Sequence, residues 1–191
     1  MTATPGPARI AMAMTIDGAD PALLESVVMP GASTRDLWIG ADYPSGPAGA
    51  ACHLLTCDLP PEAPAPPRAG SGIALWFGMR IGEAESQPPR DAGHMLINMM
   101  NVPPERDEEF NAWYDTEHIV RLCALEGVLA ARRFRAIVGA PFYLTCYHLS
   151  SPDVTVGPVW EEAVRTPWTK RAGAFATDRR RILLTRVDRL R

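Results

Sequence analysis

The chain has 191 residues, enough for one ordinary domain or for two small repeats fused around a single core. Hydrophobic residues make up 47% and charged residues 21%, a globular balance. The formal charge of −3 speaks against a basic nucleic-acid footprint, and no run approaches the ~20 apolar residues that a membrane helix needs.

In chain order, the N-terminus lacks a charged segment followed by a long apolar one, so no signal peptide is expected. "ARIAMAMTI" (8–16) reads as a strand. "DPALLESVV" (20–28) reads as a short helix, with Asp20 as cap and Pro21 at its first position. "PGASTRDLWIGAD" (30–42), "ACHLLTCDL" (51–59) and "GIALWFGMRIGEAE" (72–85) are three further strands. Between the last two lies "PPEAPAPPRAGS" (60–71), where recurring prolines forbid a helix. "SQPPRDAG" (86–93) is a link.

The second half is clearer. "HMLINMMNV" (94–102) is a strand. Pro103 and Pro104 then suit a helix start, and Glu105, Asp107, Glu108 and Glu109 favour the positive end of its dipole. Phe110, Trp113, Tyr114, Ile119 and Leu122 recur at helical spacing, and Gly127 fits the stop. "VLAARRFRAI" (128–137) and "FYLTCYHLS" (142–150) are strands joined by a hairpin. Residues 157–175 are helical but broken at Pro167, and "RRILLTRVDRL" (180–190) is the closing strand.

This order is β-α-β-β-α-β, the ferredoxin-like unit. The first half repeats it without the second helix. "CDL" aligns with "YHL", so that His53 matches Tyr143, Thr56 matches Cys146, and Asp58 matches His148. The expected fold is α+β: tandem ferredoxin-like repeats, 1–89 degenerate and 90–191 complete, packed as one globular domain with two four-stranded sheets face to face. The four cysteines form no Cys-x-x-Cys pair, and all but Cys123 sit in apolar runs. They read as reduced thiols of a cytoplasmic protein, without a structural zinc site.

The strand, the "EFNAWYDTEH" helix, the "ARRFRA" strand and the "YLTCY" strand resemble the dimeric α+β barrel superfamily, nearest to its EthD-like and related uncharacterised members. The similarity covers about residues 94–190 well and residues 8–85 weakly. It implies an intrachain version of that barrel. The superfamily includes cofactor-free monooxygenases, polyketide cyclases, muconolactone isomerases and haem-using peroxidases and chlorite dismutases, so the fold does not settle the chemistry. Such proteins usually carry a proline where this chain has Val120, so the helix here is expected to run on past His118.

Phe110, Tyr114 and His118 are spaced as one helical stripe, with Trp113 and Glu117 on the adjacent one. A histidine beside Glu117 or Asp115 has the make-up of a general acid or base. Tyr114, Tyr143 and Asn98 are candidates to polarise a substrate oxygen. The plainer reading has His118 bonded to a backbone carbonyl at the helix end. Arg133 either pairs with the acidic helix start or binds a substrate carboxylate. His53 and Tyr143 would form a polar pair between the sheets if they face inward, among adaptable methionines such as Met100. Trp113 is a further candidate for substrate contact. The "RRR" at 179–181 reads as a solvated strand edge. No glycine-rich phosphate loop and no GxSxG motif is present.

These residues and the resemblance together predict a cofactor-independent isomerase, cyclase or lyase. It would work by proton transfer on an apolar or aromatic oxygenated metabolite held in the inter-sheet cavity. A non-catalytic ligand-binding protein and a cofactor-free monooxygenase are the alternatives. Haem is a minor one, since no histidine stands out as an axial ligand. The helix missing from the first repeat predicts an uncovered sheet face and hence a homodimer.

Overall fold

The computed structural model describes residues 9–16, 19–42, 51–82 and 88–188. Residue 8 of the expected first strand, 83–85 of the fourth and 189–190 of the last lie outside them. The eight strands are β1 (Arg9–Thr15), β2 (Asp36–Asp42), β3 (Cys52–Leu59), β4 (Ile73–Ile81), β5 (His94–Asn101), β6 (Val128–Val138), β7 (Tyr143–Leu149) and β8 (Thr177–Val187). The α-helices are α1 (Asp107–Trp113), α2 (Ile119–Cys123), α3 (Pro158–Val164) and α4 (Pro167–Phe175).

The strands close into a barrel in the order β1-β3-β2-β8-β5-β7-β6-β4, with β4 pairing back onto β1. Read from β4, each half has the ferredoxin order of fourth, first, third and second strand. The halves join at two antiparallel seams, β2 with β8 and β4 with β6. Every strand therefore has two neighbours inside a single chain, and no sheet edge is left to pair elsewhere.

Period-2 alternation decides what each strand buries. Ile10, Met12, Trp38, Leu54, Trp76, Met95, Ile97, Met99, Phe134, Leu144, Ile182 and Leu184 fill the barrel interior. The opposite faces carry Leu55, Cys57 and Phe77 in the first half and Leu96, Ala131 and Tyr147 in the second. The segment 20–28 is a 3-10 turn over Pro21–Ser26 rather than an α-helix, capped as expected by Asp20, whose Oδ1 accepts from the Ala22 amide at 2.9 Å. Residues 60–71 hold no helix. The outer face of the first sheet is partly covered, because Leu24, Met29 and Ala63 pack onto it, while Met79 on the same face stays exposed. The uncovered face expected there is thus reduced to a smaller patch among the described residues.

One polar cluster crosses the interior. The guanidinium of Arg132 on β6 donates through Nη1 to Asp58 Oδ1 on β3 and through Nε to His148 Nε2 on β7, at 2.5 and 3.0 Å. Thr34 Oγ1 donates to the other carboxylate oxygen at 2.9 Å. Asp58, Arg132 and His148 are all buried. A buried charge is tolerated only when paired and hydrogen-bonded in this way.

Candidate functional site

The "YDTEH" stretch forms a π-helical turn, Tyr114–His118, between α1 and α2, in which the Ile119 amide donates to the Tyr114 carbonyl five residues back. The helix does run on past His118. The wider turn changes which side chains meet, because residues five apart now lie over each other. Trp113 and His118 come together with ring centroids 4.2 Å apart and planes at 31°. The expectation of two separate stripes fails for this reason: Phe110, Trp113, Tyr114 and His118 are all buried on the outer face of the second sheet.

Beside this turn lies a cavity of about 220 Å³, between that outer face and α1, α3 and α4. Its lining includes Asn98, Met100, Trp113, His118, Trp160, Arg179 and Arg181. The cavity is therefore on the helix side of the second sheet, not between the sheets. The inter-sheet space is packed with large apolar side chains, with a small gap of about 60 Å³ beside Trp76.

Asn98 and Arg181 are register neighbours on β5 and β8, and Arg181 Nε donates to Asn98 Oδ1 at 3.0 Å. This satisfies the asparagine oxygen, and the amide nitrogen remains a donor. The His118 pKa falls to about 3, first because the ring is buried and then because the cations Arg181 and Arg133 are near. The imidazole is thus neutral at neutral pH. Its Nδ1, like the indole Nε1 of Trp113, is buried with no hydrogen-bond partner. Each such orphan costs about 1–3 kcal/mol.

The other residues singled out by sequence are placed elsewhere. Neither carboxylate orients His118: Glu117 accepts from Thr166 Oγ1 at 2.6 Å, and Asp115 pairs with Arg133 at 2.8 Å. Arg133 is buried, bonds Asn111 Oδ1 at 2.7 Å and lies 4.2 Å from the Tyr114 ring centroid. It ties the helix to the sheet and does not line the cavity. Tyr143 faces outward, where its hydroxyl donates to Asp107 and accepts from Asn111. The Tyr114 hydroxyl is held above its ordinary pKa by burial. His53 alternates with the inward-facing Leu54, so it lies on the outer face of the first sheet, and the inward His53–Tyr143 pair does not exist. Met100 and Trp113 do line the cavity.

Arg179, Arg181 and Trp160 were missed. The "RRR" run is only partly a solvated edge: Arg179 is exposed, Arg180 and Arg181 are half-buried, and Arg179 and Arg181 line the cavity. The available signal was Asn98, a polar residue inside the apolar run of β5; Arg181, in the mostly polar β8, carried none of its own.

No family model matches the sequence, and no curated protein matches it either. Solved structures do. An anthrone oxidase-like protein superposes with a TM-score of 0.59 at 9% identity, over 95% of this chain and 92% of that one. A protein from Fusobacterium nucleatum subsp. nucleatum, provisionally described as a monooxygenase, gives 0.56 at 9% identity, over 95% and 93%. The heme-degrading enzyme of Listeria monocytogenes gives 0.53 at 8% identity, over 93% and 98%. The chain has the dimeric α+β barrel fold. In this barrel the whole dimer-like arrangement is made by one chain. Among the described residues, no helix is long and apolar enough to cross a membrane.

Proposed function

We propose that the cavity binds a small aromatic, oxygenated molecule and that the chain oxidises it with dioxygen and no resident cofactor. The observation that carries this is the neutral His118 stacked on Trp113, facing the same cavity as the Asn98–Arg181 pair. The likeness in fold to proteins named for oxidation supports it.

The chemistry begins with loss of a proton from an activated methylene, giving an enolate or phenolate. Arg181 and the Asn98 amide stabilise the oxygen anion as it forms. A ring that resists protonation on its own accepts this proton once an anion forms beside it, because the pair is then net neutral. The carbanion carbon reduces dioxygen and bonds to it. The resulting peroxide anion takes the proton back from His118 to give a hydroperoxide, which loses water to leave the carbonyl. In balance, one methylene and one dioxygen become one carbonyl and one water. Trp113 and Trp160 wall the reacting carbon from water.

The isomerase, cyclase or lyase reading shares the first step and ends without oxygen uptake. A binding protein would show neither. Haem does not fit: 220 Å³ is below the roughly 300–1,000 Å³ of pockets that enclose drug-sized ligands, before a macrocycle is considered. A homodimer is favoured by the exposed apolar Met79, Ile137, Val138 and Phe142 around the β4–β6 seam, and light scattering in solution tests it.

Oxygen-electrode assays with anthrone test the reading. The expected result is one dioxygen consumed per quinone formed, with turnover reduced about a hundredfold in His118→Gln. Binding and conversion without oxygen uptake would transfer the site to proton-transfer chemistry. Binding without any conversion would leave a ligand-binding protein.

A further inference from the structure

We propose that the cavity is selective for aromatic molecules that carry an acidic oxygen at one end, with Arg179 at the mouth as the group that recognises the anion. This rests on the reading of the cavity as a small-molecule site and adds the substrate class.

The wall is strongly divided. Phe110, Trp113, Trp160 and Leu122 supply apolar surface, while no aspartate or glutamate is among the lining residues. The charged members are both arginines, Arg179 and Arg181. The protein as a whole is acidic at −3, so this is a local reversal of sign. Low-dielectric walls focus such a field.

The two cations are placed differently. Arg181 is half-buried and held by Asn98 deep in the site. Arg179 is exposed and lies over the one glycine of α4. A Cβ built on Gly173 would stand 3.4 Å from Arg179 Nη2, an ordinary van der Waals contact, so the guanidinium lies directly against this position of α4. Arg179 Nε donates to the Ala176 carbonyl at 3.2 Å, which fixes the fork by its stem side. No carboxylate pairs with Arg179 among the described residues. Its terminal nitrogens are the planar, two-pronged donor that suits a carboxylate or phenolate. An aromatic acid would lay its ring on Trp113 and present its oxygens to this fork.

The test uses isosteric ligands: 2-naphthoate and the neutral 2-naphthamide, titrated against the full chain by calorimetry at pH 7. The expected result is that naphthoate binds at least about tenfold more tightly, and that Arg179→Gln removes this preference while leaving naphthamide affinity within about twofold. Arg179→Lys, which keeps the charge and loses the fork, is expected to retain part of it. Unchanged melting temperatures in both variants would confirm that the fold is intact. Equal affinity of wild type for the two ligands would overturn the anion selectivity and leave the cavity reading standing. So would a naphthoate preference that survives Arg179→Gln, because recognition would then lie elsewhere. If neither ligand binds, the cavity reading fails and takes the selectivity with it.

Discussion

Two imidazoles are buried neutral in this protein, and acid is expected to expose that. His118 is depressed to about 3, by burial and then by Arg181 and Arg133. His148 is lowered well below its ordinary value by burial and by Arg132 and Arg186. In the unfolded chain both titrate near 6.5. Below that pH the unfolded state binds protons that the folded state refuses, so stability is full above about pH 6.5 and is lost as pH falls. For His118 the loss continues to about pH 3. At pH 5 His118 forfeits about 1.4 × 1.5, or roughly 2 kcal/mol, and His148 adds to the loss in the same direction. For His118 alone this is a fall of about 4–8 °C in Tm for a chain of this size. Circular dichroism melts at pH 7 and pH 5 measure it. His118→Gln is expected to remove that share of the acid-induced fall and His148→Gln a further share, and differencing against wild type cancels the carboxylates. A His118→Gln variant that loses as much Tm between pH 7 and pH 5 as wild type would refute the neutral buried state of that ring.

Asp58→Asn should cost about 3–5 kcal/mol in urea unfolding, because it strands the Arg132 guanidinium in the interior. The double change Asp58→Leu with Arg132→Met should recover most of that loss, and a double variant as unstable as the single one would contradict the account. Gly40→Ala should destabilise by about 2–3 kcal/mol, since its Cβ would meet the Leu183 carbonyl oxygen at 2.0 Å in the β2–β8 seam; chemical denaturation measures it. Asn98→Ala should weaken aromatic ligand binding in calorimetry with a Tm change of only about 2–4 °C, as one hydrogen bond to Arg181 is lost.

Much of the architecture was legible because it rests on local pattern. The alternation in "HMLINMMN" and "YLTCYHL" fixes β5 and β7 within a residue of their ends. The prolines of 60–71 exclude a helix, and Pro167 divides α3 from α4, with Thr166 capping the second half through the Thr169 amide at 2.9 Å. The last strand begins at Thr177, before the expected 180, since its start is set by pairing with Asn101. The site was half legible. Asn98, Trp113, Met100 and His118 were picked out by residue type and do line one cavity. Which face of the sheet that cavity occupies was not legible, because alternation separates two faces without saying which one looks inward. The π turn was also hidden, as Trp113 and Tyr114 fit an α-helical spacing equally well. Arg181 reaches Asn98 across a strand pair 83 residues apart, and register over such a distance leaves no local trace.

The interior cluster has a bearing on how the two halves recognise each other. Asp58 and His148 occupy matching positions, and Asp36 and Arg132 stand opposite the matching residues Thr56 and Cys146. The first half therefore brings carboxylates to the barrel where the second brings a guanidinium and an imidazole. Two copies of the first half would crowd four carboxylates together, and two copies of the second would bury two unpaired guanidinium groups. Like charges in a dry interior repel by several kcal/mol. Each half is thus built to reject its own kind and accept the other. If the chain were cut between β4 and β5, the pieces would reassemble as an obligate heterodimer.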